Sequence, residues 1–195
     1  MHLSVTEIVH DLVRPHVQPG DTALDGTAGN GHDTLFLAQC VGPTGRVFAW
    51  DIQPLAVART AALLEKHGVT WVELISGDHA ELEKRPDCAF AAAIFNLGYL
   101  PASDRTVVTS LVSSTRAIRA AIARLAPGGI VTVLAYTGHA GGTEEAEAIH
   151  DLMRATEYRF DEVAFPGGRT APPRLLMLQR PKASSLQQHP VSLSE

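Results

Sequence analysis

The chain has 195 residues, 45% of them hydrophobic and 19% charged, with a formal net charge of -5. That length and balance suit a globular protein of one domain with a sizeable core. No apolar run reaches the roughly 18 residues of a membrane span, the early polar and acidic residues (His2, Ser4, Glu7, His10, Asp11) are not those of a signal peptide, and the net charge does not advertise a nucleic-acid binder.

Ser4-Val5-Thr6-Glu7 reads as a capping box opening a helix to residue 13. After the Pro19-Gly20-Asp21 turn, Thr22 to Asp25 is a short strand running into the glycine-rich Gly26-Thr27-Ala28-Gly29-Asn30-Gly31. A helix is expected over 33–40, a second strand over 46–50 ending at Asp51, and a helix from Pro54 to His67, stopped by Gly68. Residues 70–75 alternate and favour a third strand, and 88–95 form an apolar fourth. A loop carries Asn96 to Pro101. The pattern then predicts a helix over 107–125 stopped by Pro127-Gly128-Gly129, a fifth strand over 130–136, and a helix over 144–156. Two closing strands, 158–165 and 174–178, are placed to pair antiparallel. Trp50 and Trp71 are expected in the core.

Strands alternating with helices imply a mostly parallel sheet covered on both faces. The expectation is an α/β, Rossmann-like, seven-stranded sheet with an antiparallel final strand. Residues 1–182 are expected to form one domain and 183–195 a polar, disordered tail. Cys40 and Cys88 lack metal-ligand spacing and read as reduced thiols of a cytoplasmic protein. The nine histidines show no metal-binding spacing either, so no metal is expected. Two stretches are locally basic: Arg105, Arg116, Arg119 and Arg124, and then Arg169, Arg174, Arg180 and Lys182. They suit phosphate contacts or ordinary solvated faces equally.

In an open parallel sheet, ligands bind beyond the carboxyl ends of the strands. Three features fall there: the loop from Asp25 to Gly31, Asp51 after the second strand, and Asp78-His79 after the third. Glycines let a ligand approach the main chain, and a carboxylate such as Asp51 can accept from ribose hydroxyls. A glycine loop with an acid fits a dinucleotide or S-adenosylmethionine. The phase Gly29-Asn30-Gly31-His32-Asp33-Thr34 lacks the third glycine of the dinucleotide fingerprint, and Asp25 and Asp33 would stand beside a diphosphate. The ammonium and sulfonium of S-adenosylmethionine suit those acids, and Asp25 is the candidate for its amino-acid end, directly or through water. A non-enzymatic module or an NAD-binding oxidoreductase on the same fold is the remaining alternative.

Asn96-Leu97-Gly98-Tyr99 resembles the Asn-Pro-Pro-Tyr loop of amino-methyltransferases, with Leu97-Gly98 in place of the prolines. An Asn oxygen can accept an amine's hydrogens and so aim its lone pair. Tyr99 can stack on a base or pack on the sulfonium, with simple packing as the alternative, as a turn-forming role is for Asn96. His139, in Tyr136-Thr137-Gly138-His139, follows the fifth strand and is a candidate proton acceptor or phosphate contact, with a structural loop histidine as the alternative.

Together these segments resemble the small single-domain class I methyltransferases that carry the label "putative rRNA methylase". The matching stretches are Asp25 to Thr34, Asp51-Ile52-Gln53, His79, Phe95 to Pro101, Tyr136 with Gly138-His139, and Pro172-Pro173, spread over about residues 20 to 180. Related loops usually begin Asp-Ala-Thr, and Gly26 here is expected to have little consequence. The resemblance implies an S-adenosylmethionine pocket made of Asp25, Thr27, Gly29, Asn30, Gly31, Asp33, Thr34, Asp51, Gln53, Asp78 and His79. It implies an acceptor held by Asn96 and Tyr99, with His139 near it. It also implies a tRNA anticodon arm as substrate, with a wobble 5-aminomethyl-2-thiouridine methylated on its amine; rRNA or a small molecule is the alternative acceptor. No membrane partner is implied, and a homodimer is among the states the sequence allows.

Overall fold

The computed structural model describes residues 4–85, 88–98, 110–163, 165 and 173–183. Ser4 caps the first helix, α1 (Val5–Val13): its hydroxyl accepts from the Glu7 N–H at 3.2 Å, while the Glu7 carboxylate accepts from the Ser4 N–H at 2.6 Å. The reciprocal bonds satisfy two donors near the helix start, one on each residue. A 3₁₀ turn, Arg14–His16, leads to β1 (Thr22–Asp25), α2 (His32–Val41), β2 (Arg46–Asp51), α3 (Pro54–Lys66) and β3 (Val72–Ser76). Next come a 3₁₀ stretch (His79–Lys84), β4 (Phe90–Leu97), α4 (Leu111–Ala123), β5 (Leu125–Ala135), α5 (Gly142–Arg154), β6 (Arg159–Val163) and β7 (Arg174–Gln179).

The strands form one sheet in the order β3-β2-β1-β4-β5-β7-β6. Pairs among β1 to β5 are parallel, and β7 runs antiparallel to both β5 and β6. The expected seven-stranded α/β sheet with an antiparallel final strand is borne out. Alternate residues of each strand feed two cores. Ala23, Val47, Ala92 and Ile94 pack with Val9 and Val13 of α1, Phe36 and Leu37 of α2 and Leu64 of α3. Leu24, Phe48, Trp50, Ala93 and Phe95 pack with Ile118 of α4 and Ile149 of α5. The sheet is thus covered on both faces, as parallel strands require. The strand order reverses between β1 and β4, which opens a crevice at their carboxyl ends.

Some local expectations shift. The helix expected to run to Leu125 ends at Ala123, and β5 starts at Leu125, ahead of the Pro127-Gly128-Gly129 taken as a helix stop. Phe90 pairs with Leu125 and Ala92 with Ile130, so residues 126–129 bulge out opposite Ala91. The tertiary pairing of β4 overrides the local turn chemistry. Trp50 is buried as expected, whereas Trp71 precedes β3, half-buried, and donates its indole N–H to the Ala38 carbonyl at 2.8 Å. The basic stretches are largely engaged within the chain: Arg116 with Glu83, Arg124 with main-chain carbonyls, Arg174 with Glu162, and Arg180 with the Leu125 carbonyl. Arg105, Arg169, Tyr99, the Pro101 and Pro172 positions and the tail from 184 onward lie outside the described residues. Among the described residues, no helix is long and apolar enough to cross a membrane.

Candidate active site

The glycine loop is built by hydrogen bonds between strand ends. Gly26 N–H donates to the Ile94 carbonyl of β4 at 2.8 Å, and Ala28 N–H donates to the Trp50 carbonyl of β2 at 2.7 Å. Gly29 turns at φ +55 and Gly31 at φ +85, left-handed conformations that favour glycine, and Gly31 caps α2. A Cβ on Gly31 would also stand 3.0 Å from the Thr60 backbone. At Gly26 a Cβ would overlap the ring of Phe95, so the departure from the usual alanine has a steric reason.

These strand ends enclose a cavity of about 440 Å³, within the usual range for small-molecule sites. Of the residues singled out from sequence, Thr27, Gly29, Asn30, Asp33, Asp51, Gln53, Asp78, His79 and Asn96 line it. Asp51 accepts from the Gly29 N–H at 2.9 Å and the Gln53 N–H at 2.8 Å, tying the end of β2 to the loop after β1. Asp78 accepts from the Ala80 N–H at 2.9 Å and from the Ser113 hydroxyl. Burial works to raise the Asp78 pKa, but these two donors, with His79 and Arg116 nearby, outweigh it and hold it below the usual carboxylate value. His79 donates from Nδ1 to the Gly26 carbonyl at 2.9 Å. Its Nε2 is then an acceptor, buried and without a partner among the described residues.

Four of the sequence candidates are not on the described wall of the cavity, and each has a place behind or beside it. Asp25 is fully buried, its two oxygens accepting from the Thr27 N–H at 3.0 Å and the Thr34 hydroxyl at 2.6 Å. Burial, then the nearby charge of Asp33, push its pKa up to about 7 against the two hydrogen bonds. Thr34 is its partner, and Gly31 serves the backbone. His139 donates from Nδ1 to the Ala140 carbonyl at 3.1 Å, and its buried Nε2 has no partner among the described residues. Tyr99 lies outside the described residues.

Sequence reasoning missed several wall residues, among them Thr6, Ser110 and Ser113, while Tyr136, quoted with His139 in the loop after β5, lines the wall. It also missed His10, whose Nε2 donates to Asp33 Oδ1 at 2.6 Å and whose ring stacks on Phe36 with centroids 3.9 Å apart. Thr6 and His10 stand at i and i+4 of α1, so a polar pair on one face beside the apolar Val9 and Val13 was the available signal. The described wall holds three carboxylates, Asp33, Asp51 and Asp78, and no Lys or Arg. At its floor, Asn96 N–H donates to the Thr27 hydroxyl at 2.7 Å, and the Asn96 carboxamide donates to Asp33 Oδ2. Among the described residues, no group of three His, Cys, Asp or Glu is placed to hold a metal ion.

The model of the family described as "Putative rRNA methylase" matches residues 47–179. The chain belongs to that family. It is 36% identical over 155 residues to a protein of Arabidopsis thaliana named tRNA (mnm(5)s(2)U34)-methyltransferase, chloroplastic, a match covering 74% of this chain and 57% of the relative. The chain thus spans little more than half of that relative's length. Its fold is similar to a "putative rRNA-methylase" from Clostridium thermocellum, with TM-score 0.86 and 35% identity over 92% of this chain and 98% of the other. It is also similar to a "putative methyltransferase" from Streptococcus mutans solved in complex with SAH, with TM-score 0.80, 31% identity, and 92% and 99% of the two chains covered.

Proposed function

We propose that this methylase-family protein transfers a methyl group from S-adenosylmethionine to the exocyclic amine of a tRNA wobble uridine, turning 5-aminomethyl- into 5-methylaminomethyl-2-thiouridine. Asn96 carries the reading: a carboxamide at the carboxyl end of β4, on the wall of a pocket lined by carboxylates. With its nitrogen committed to Asp33, its oxygen remains to accept from an amine, which aims the nitrogen lone pair and steadies charge developing there. The 36% identity to a relative named for this reaction supports the tRNA acceptor.

The donor set fits the cofactor. Asp51 can accept from ribose hydroxyls while keeping its two backbone bonds, since each carboxylate oxygen accepts more than once. The acidic wall suits an ammonium and a sulfonium and opposes a diphosphate. The His79 Nε2 lone pair fits an adenine amino group, and Asp25 acts through the loop it braces rather than by contact. When bound, S-adenosylmethionine supplies an electrophilic methyl group. The protein positions and desolvates the amine, with Tyr99, three residues beyond Asn96, as the platform for the base. His139 stands off the described wall and has no part in this reading; water takes the ammonium proton. The substrate is the anticodon arm and the compartment the cytoplasm, in keeping with the free Cys40 and Cys88.

The test is nucleoside mass analysis of tRNA from cells lacking the wobble-amine methylation, incubated with the protein and S-adenosylmethionine. Conversion of the aminomethyl to the methylaminomethyl nucleoside is the expected result. No conversion, with S-adenosylhomocysteine still bound, would sink the tRNA acceptor and turn the search to rRNA, which the family's description names.

A further inference from the structure

Three side chains from three elements form a chain that ends in the pocket. His10 of α1 donates to Asp33 of α2, and Asp33 accepts from Asn96 of β4. An ionised carboxylate only accepts, so both partners must turn hydrogens toward it. The atom of Asn96 against Asp33 is therefore the amide nitrogen, and the ring nitrogen of His10 against it carries a hydrogen. The chain has one polarity from end to end, and it sets which way the Asn96 carboxamide faces.

We propose that His10 is a positioning residue for methyl transfer: it holds Asp33 in the one orientation that turns the Asn96 oxygen toward the acceptor amine. The inference rests on the amine-methylating reading above. The members of this network are also held by contacts of their own. Asp33 is 8% exposed and sits in the first turn of α2. The Asn96 backbone is pinned to Thr27. The His10 ring lies 6° from parallel with the Phe36 ring. Without His10, the Asp33 carboxylate keeps one partner and can rotate, and the carboxamide bonded to it swings with it, so the Asn96 oxygen loses its fixed place.

A residue that merely docks α1 on α2 would affect stability, whereas a positioning residue affects the rate of transfer. The test compares wild type with His10→Ala, His10→Gln and His10→Phe. Readouts are kcat and KM on the aminomethyl tRNA, S-adenosylhomocysteine affinity by calorimetry, thermal unfolding, and the side-chain amide NMR signals of Asn96 in the protein without cofactor. His10→Ala is expected to lower kcat about 10- to 100-fold, with KM and S-adenosylhomocysteine affinity within several-fold. His10→Gln, which restores an N–H donor, recovers most of the loss. His10→Phe keeps the ring on Phe36 without the donor and behaves as His10→Ala, so it decides the matter should the alanine variant not fold. The Asn96 amide signals move in the donor-less variants and return in His10→Gln. Wild-type kcat in His10→Phe, or Asn96 signals that do not move, would overturn the proposal. A wild-type protein inactive on the tRNA would defeat the substrate reading alone, and the amide signals would still decide the role of His10.

Discussion

Gly26 and Phe95 share one volume: a Cβ on the glycine would overlap the phenyl ring. Phe95 is fully buried and meets His79 edge-on at 6.1 Å, and His79 lines the pocket. Crowding at position 26 is therefore transmitted to the wall of the site. Gly26→Ala is predicted to destabilise the fold by about 1–3 kcal/mol through overpacking, and Phe95→Leu in the same chain to recover part of that. Denaturant unfolding of the four proteins closes the cycle. Strictly additive costs would show that the two residues do not compete for space.

Asn96→Ala is predicted to lower turnover by at least about 100-fold and leave S-adenosylhomocysteine affinity within several-fold. On the proposed reading the substitution removes the acceptor for the amine, and it leaves Asp33 with His10 as its side-chain partner. Single-turnover rates with calorimetry check it. Full turnover in the variant would end the assignment of Asn96.

Asp25 gives the fold a pH dependence of known sign. Its ordinary pKa is 3.8 and burial, with Asp33, raises it to about 7 in the folded chain. Between those values the folded protein holds a proton that the unfolded chain has released. The stability from Asp25 is thus full below about pH 4 and lost as pH rises through about 7. Asp25→Asn lacks this term. Relative to the variant, the wild type should lose on the order of a few kcal/mol between pH 4 and 8. Unfolding midpoints across that range measure it, and a constant difference would contradict a raised pKa.

Asp51→Asn removes a charge that receives two backbone donors, Gly29 N–H and Gln53 N–H. The affinity for S-adenosylhomocysteine is predicted to fall about 10- to 100-fold, the worth of charged hydrogen bonds at a partly buried site. Calorimetry reads this directly, and unchanged affinity would remove Asp51 from the binding set.

The half of the site that follows β1 and β2 was legible because its signals are local. A strand end, a glycine turn and an acid at the end of the next strand need no knowledge of the rest of the chain, and Thr27, Gly29, Asp33 and Asp51 line the pocket. Asn96 was legible from chemistry at the end of an apolar run. His10 was not: the polar pair Thr6 and His10 marks a face of α1, but what that face meets is set by packing across 23 residues. The bulge at 126–129 escaped for the same reason: Pro127 and the glycines read as a turn until Phe90 and Ala92 of β4 impose their partners. Asp25 was read as holding the cofactor's amino-acid end, directly or through water, from its place on the loop; its burial and its bonds to Thr27 and Thr34 emerge only when the loop closes.

The floor of the pocket is sewn by contacts between distant parts of the chain: Asn96 meets Asp33 across 63 residues and Thr27 across 69. During synthesis, β1 can pair with β2 early, but its other edge stays open until β4 has emerged. Until then the growing chain carries an unprotected central strand, Thr22–Asp25, of the kind that invites pairing with another molecule. The strand that closes that edge also brings Asn96 to Thr27 and Asp33, so the chain leaves this pairing-prone stage as the floor of its pocket forms.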